Sequence, residues 1–293
     1  MTKPFLGIAL GGGGVRGAAH VGVLQELDEA GIAIDMVAGV SAGAVVGAMY
    51  AHSLDGKWVE DQFRKVWAST KFQDVAAKRF IQSGPSDPWI HKIRKNITEH
   101  ALAIMSLHRN SIMTNESLRE ILRMLIPART FDQMKIPLKI VSTDIETGDD
   151  IISDKGDLMD ALVKSCAIPG IMEPVEDEGR LMVDGGVGMP IPVPALKEDC
   201  QMTLAVDIGL YEFERLNRPN ARTIKIRSDI ITSNRLKTRL ASEADLVIKP
   251  DTLGFHWSRF DSGDILFQNG RKAAKERLSR LMKMIEKNKK NKK

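Results

Sequence analysis

Residues 5–10 form an unbroken apolar run of the kind buried on both faces of a parallel sheet, and they predict the first strand. After a run of glycines, Val21, Val23, Leu24 and Leu27 recur at helical spacing over residues 18–30, with Ala18, Ala19 and Gly22 small enough for close packing. A second apolar run, 32–40, passes straight into a small-residue helical pattern at 42–51, so the chain opens β-α-β-α. Trp58, Val59, Phe63, Val66 and Trp67 mark a helix within 55–69, and another at 115–125 stops before Pro127. Strands are predicted at 138–144 and 150–153, joined through Thr147-Gly148, and a helix at 158–166 is broken by Ile168-Pro169-Gly170. Val175 and residues 181–183 flank the turn Asp177-Glu178-Gly179 and deliver Asp184-Gly185-Gly186 to a strand end. Short strands at 204–208, 223–226 and 246–249 and a long helix over 262–286 complete the pattern, with no internal repeat and no dividing linker.

Residues 71–110 are less regular. Ser83-Gly84-Pro85-Ser86-Asp87-Pro88 interrupts them, and Trp89, Ile90, Ile93 and Ile97 alternate with His91, Lys92, Arg94 and Lys95. The pattern reads as a helical insertion over one end of the sheet. An amphipathic cap packed on the core is the first reading, and a lid or contact with a lipid interface is the second.

At 293 residues, with 43% hydrophobic and 27% charged residues, the chain has enough material for a large α/β core and the composition of an ordinary soluble protein. The net charge of +4 is modest, and much of the basic excess lies in the tail Lys287-Asn288-Lys289-Lys290-Asn291-Lys292-Lys293. That tail reads as a solvated end rather than a nucleic-acid patch, with weak attraction to anionic headgroups as the alternative. Cys166 and Cys200 make neither a disulfide framework nor a metal cluster, which fits a reducing compartment. Without a signal-peptide pattern or a run long enough to span a bilayer, the expectation is a cytoplasmic protein with peripheral contact at the inner membrane surface left open.

Two stretches carry chemistry. Gly39-Val40-Ser41-Ala42-Gly43 joins a strand to a helix, the context of a nucleophile elbow, in which Ser41 sits at the apex and Gly39 and Gly43 make room for the turn. Gly11-Gly12-Gly13-Gly14-Val15-Arg16-Gly17 follows the first strand and admits two readings. As Gly12-x-Gly14-x-x-Gly17 it has dinucleotide-binding spacing, which would make the chain a nucleotide-dependent oxidoreductase, but the second strand ends at Ser41 and not in an acidic residue. As a nest of Gly12, Gly13 and Gly14 amides with Arg16 nearby, it is an oxyanion hole, and adjacent parallel strands would bring it beside Ser41.

A serine needs a base. Of the six histidines, only His256 suits the order Ser41, Asp184, His256 of an α/β-hydrolase triad. The alternative is that Asp184 acts directly from a dry, preorganised site, with Gly185 and Gly186 opening access beside it.

The glycine run at 11–17, the elbow at 39–43 and Asp-Gly-Gly at 184–186, in this order, resemble the patatin-like phospholipase family, in particular its short bacterial members. Ala167-Ile168-Pro169-Gly170 through Glu173-Pro174-Val175 is also similar to the family's segment before its aspartate. One position departs: Met189 stands before Pro190 where the family often has asparagine. The resemblance implies a three-layer α/β/α sandwich with a mostly parallel central sheet. Residues 7–197 would form the catalytic domain, and 198–293 would complete the same fold. It implies a carboxylic ester hydrolase acting on lipid acyl esters through a Ser–Asp dyad, with Ser41 as nucleophile, Asp184 as proton acceptor and Gly12 to Gly14 and Arg16 at the oxyanion. No metal or cofactor is called for, and the partner is a lipid ester and not nucleic acid. A catalytically silent lipid-binding protein is the remaining alternative.

Overall fold

The computed structural model of the protein describes residues 3–70, 72, 114–213, 215–216, 219–254 and 263–290. The insertion read at 71–110, apart from Phe72, and His256 lie outside the described residues.

Strands β1 (Leu6–Leu10), β2 (Met36–Val40) and β7 (Met202–Val206) are buried along their whole length. Their side chains divide by alternation between two apolar clusters. Leu6, Ile8, Leu10, Val37, Leu204 and Val206 face one way, and Ala9, Met36, Ala38, Val40 and Ala205 face the other. The first cluster is covered by α1 (Ala18–Glu29), α2 (Ala42–Ser53), α3 (Gly56–Trp67), α4 (Asn115–Leu125), α5 (Leu158–Ser165) and α8 (Gly263–Lys290). The second, smaller cluster lies under α6 (Pro194–Lys197) and the C-terminal end of α7 (Ala221–Ala241). Helices on both faces of one sheet make the expected sandwich, and continuous apolar strands require it, because neither face of such a strand tolerates water.

Among the described residues the sheet has eight strands. Its hydrogen-bonded path runs β5 (Val175–Asp177), β6 (Arg180–Asp184), β3 (Leu138–Asp144), β2, β1, β7, β8 (Leu246–Ile248), and β4 (Asp150–Ser153) pairs with β3. The pairs β1–β2, β1–β7, β2–β3 and β7–β8 are parallel, whereas β3–β4, β3–β6 and β5–β6 are antiparallel. β7 and β8 thus extend the same sheet that β1 and β2 begin.

One predicted strand is a helix. Residues 223–226 alternate apolar and polar, but they form the first turns of α7, a 21-residue helix. Asn220 caps it: its side chain accepts the Thr223 N–H, and the Thr223 side chain reaches back to the Asn220 N–H. Four residues are too few to separate period 2 from period 3.6, so the cap decides. Among the described residues no helix is long and apolar enough to cross a membrane.

Candidate active site

Strand pairing brings Ser41 and Asp184 together. Val40, the last residue of β2, pairs with Val141, and Asp184, the last residue of β6, pairs with the next residue, Ser142. Because β4 occupies one edge of β3 over this stretch, β2 and β6 share the other and meet there end to end. The residue after β2 and the residue ending β6 therefore converge from opposite directions.

Ser41 adopts φ 54° and ψ −125°, a conformation costly for a residue with a side chain, as the elbow reading requires of it. The turn is held on both sides. The Ser41 N–H donates to Ser165 Oγ at 2.9 Å, and Ser165 Oγ donates to the Val141 carbonyl at 2.6 Å. The sequence offered no sign of Ser165, which sits in an ordinary amphipathic helix. The elbow glycines lie where backbone crosses backbone: a Cβ at Gly43 would stand 2.1 Å from the Leu10 carbonyl, and one at Gly39 would stand 2.5 Å from Ala44 Cα. Gly17 approaches the same helix, with Ala42 Cβ 2.8 Å from where its own would be.

Asp184 is 6% exposed, like Ser41. Its N–H donates to the Ala167 carbonyl and its Oδ1 accepts the Gly186 N–H at 2.7 Å. Burial raises the carboxyl from 3.8 to about 6, against the lowering effects of the neighbouring Ser41 hydroxyl, the Gly186 amide and the charge of Lys237. The carboxylate is thus ionised at neutral pH yet more basic than an aspartate in water. Gly185 packs on β3, where a Cβ would fall 2.4 Å from the Val141 carbonyl. Met189, the one position that departs from the resemblance, closes the turn beside Asp184: its N–H donates to the Gly185 carbonyl at 2.8 Å.

The glycine loop is oriented by three basic side chains, one on each successive carbonyl. His20 Nε2 lies 2.8 Å from the Gly11 carbonyl, Lys237 Nζ donates to Gly12 O at 3.2 Å, and Arg16 Nε donates to Gly13 O at 3.0 Å. Burial depresses the imidazole of His20 to about 4, so it is neutral and carries its proton on Nε2, since a carbonyl only accepts. Burial also lowers Arg16 to about 10, and Asp207 and Tyr211 offset part of this, so it stays charged. Every peptide bond among the described residues is trans, so each N–H points opposite to the carbonyl of the residue before it. The Gly12 N–H is directed onto the Pro190 carbonyl at 3.1 Å, whereas the Gly13 and Gly14 N–H groups have no partner among the described residues. Gly12 is therefore not the donor it was expected to be. A Cβ there would lie 3.4 Å from that of Ser41, in ordinary van der Waals contact. The Ala42 N–H, first in α2, is likewise unpartnered among the described residues.

Of the histidines among the described residues, His20 serves the loop and His52 contacts the Gln133 carbonyl, and neither bonds to Ser41. The dinucleotide reading would place an acidic residue at the end of β2, but the nearby Asp35 precedes that strand and accepts the Phe5 and Leu6 amides. A cavity of 410 Å³ bordered by Met36, Phe131 and Lys139 opens at the opposite, N-terminal end of β2 and β3, away from Ser41.

A family model described as patatin-like phospholipase matches residues 8–197. An uncharacterized NTE family protein of Mycobacterium tuberculosis (strain ATCC 25618 / H37Rv) is 32% identical over 209 residues, 71% of this chain and 50% of that protein. Neuropathy target esterase sws of Drosophila melanogaster is 27% identical over 214 residues, 71% of this chain and 13% of that protein. Among solved structures, VipD from Legionella pneumophila is similar at a TM-score of 0.49 and 15% identity, covering 95% of this chain and 67% of that one. The chain spans about half the length of this mycobacterial relative and less of others.

Proposed function

This chain belongs to the patatin-like phospholipase family, and from that premise we propose that it is a lipid acyl-ester hydrolase with Ser41 as nucleophile and Asp184 as base. What supports the reading is the junction on β3, where the turn bearing Ser41 and the strand ending in Asp184 converge from opposite directions, each residue only 6% exposed. Asp184 takes the hydroxyl proton as Ser41 Oγ bonds to the ester carbonyl carbon. The carbonyl oxygen becomes an oxyanion facing the amides of Gly13, Gly14 and Ala42. As the tetrahedral centre collapses, the bond to the alcohol breaks, Asp184 returns its proton to that alcohol, and an acyl-serine remains. Water then attacks the acyl carbon, its proton passing to Asp184 and from there to Ser41 Oγ as the fatty acid leaves.

The dielectric of the site makes an aspartate adequate for this task. Its raised basicity in a buried site narrows the gap to a serine hydroxyl, and the preformed donors lower the barrier without rearranging. The test is hydrolysis of a chromogenic acyl ester and of lipid esters in mixed micelles by Ser41→Ala and Asp184→Asn. Both variants are expected to be inactive, and a fluorophosphonate should label the wild type at Ser41 alone. Turnover by either variant near the wild-type rate rejects the dyad.

A further inference from the structure

Lys237 lies on α7, outside the stretch matched by the family model, and no feature of the sequence marks it. Its side chain nevertheless ends beside the glycine loop, 3.2 Å from the Gly12 carbonyl, in a residue only 8% exposed. Among the described residues no carboxylate forms an ion pair with it. The groups facing it are Arg16 from the turn after β1, His20 from α1, Asp184 at the end of β6 and Asp207 after β7. Asp207 is itself engaged by the Tyr211 hydroxyl, the Gly209 N–H and Lys249. A buried ammonium with a single hydrogen bond to a carbonyl is destabilising on its own account. Such an arrangement is retained where the charge serves the site.

We propose that Lys237 is a positioning residue for ester hydrolysis: it turns the Gly12 carbonyl away from Ser41, so that the Gly13 amide faces the oxyanion, and its charge favours the ionised form of Asp184. This inference rests on the dyad reading above. The peptide geometry supplies its first half, because rotating the Gly12–Gly13 peptide would present a carbonyl oxygen to the oxyanion in place of a donor. The second half follows from the sign of the charge, since a cation near Asp184 lowers its pKa and its removal raises it.

The dependence on pH separates this role from a merely structural one. Asp184 must be ionised to accept the proton, so kcat/KM rises through about 6. Burial and the charge of Arg16 lower Lys237 to about 8, so activity falls again as the ammonium deprotonates. The experiment compares Lys237→Met and Lys237→Arg with the wild type on a chromogenic acyl ester from pH 5 to 10, with Ser41→Ala as control. Lys237→Met should keep its circular dichroism spectrum, since it removes a buried unpaired charge. It should lose kcat by about tenfold or more with little change in KM, because the lost interaction acts mainly in the transition state. Its acidic limb should move up by roughly half a pH unit, and its alkaline limb should vanish. Lys237→Arg should recover most of kcat and also lack the alkaline fall, because a guanidinium stays charged. Wild-type kcat and limbs in Lys237→Met overturn the proposal. So does an alkaline fall still near pH 8 in Lys237→Arg, whether or not Lys237→Met folds. Full activity in Ser41→Ala would instead refute the dyad reading, and leave the pH limbs to report on another nucleophile.

Discussion

Replacing Asp184 by asparagine should make the protein more stable while removing its activity. Burial moves this carboxyl from 3.8 to about 6. A carboxyl whose pKa is raised on folding contributes stability that is fully present below its unfolded pKa and is lost as pH rises through its folded pKa. Above about pH 6 the native state therefore carries an ionised group that would be better hydrated in the unfolded chain. The difference between 6 and 3.8, at about 1.4 kcal/mol per pH unit, corresponds to about 3 kcal/mol at pH 8. The asparagine amide keeps the Gly186 N–H as a donor but loses part of the interaction with Ser41, so about 3 kcal/mol is a ceiling. In a chain of this length it corresponds to about 5 °C in Tm. The assay is denaturant unfolding of wild type and Asp184→Asn at pH 8 and at pH 4.5. The variant should be the more stable at pH 8, and the gap should shrink at pH 4.5, where the wild-type carboxyl is protonated and nearly isosteric with the amide. A gap of the same size at both pH values, or a variant less stable at pH 8, would refute the reasoning. It would mean that Asp184 is not the desolvated carboxylate the geometry describes.

Other outcomes follow from the elbow. Gly43→Ala should destabilise the protein by about 3 kcal/mol or more and abolish hydrolysis, because the new Cβ would lie 2.1 Å from the Leu10 carbonyl; a Tm within about 1 °C of wild type would contradict this. Ser165→Ala removes the acceptor of the Ser41 N–H and should cost about 1–3 kcal/mol. Faster hydrogen exchange at the Ser41 amide is the specific sign, and an unchanged exchange rate would count against the role given to Ser165.

What was legible in the sequence was whatever depends on neighbours along the chain. The apolar runs at β1 and β2 specify strands buried on both faces, and the small residues around Ser41 specify an elbow, because each responds to local sterics. Adjacent parallel pairing of β1 and β2 was also foreseeable, and with it the nearness of the glycine loop to Ser41. The four residues 223–226 misled, since so short an alternation carries no period of its own and a cap at Asn220 outweighed it.

The rest required three dimensions. Nothing in the order of residues says that Val40, just before Ser41, and Asp184 pair with consecutive positions of β3, because that register depends on where β4 leaves an edge free. Nor could the spacing of glycines tell which amides are spent and which remain. That is decided by His20, Lys237 and Arg16, drawn from three separate elements onto three consecutive carbonyls. Sequence by itself determined which groups could react. The tertiary structure decided which way the peptide dipoles point and how dry the carboxyl is, because orientation and desolvation belong to the packing of distant segments and not to any one of them.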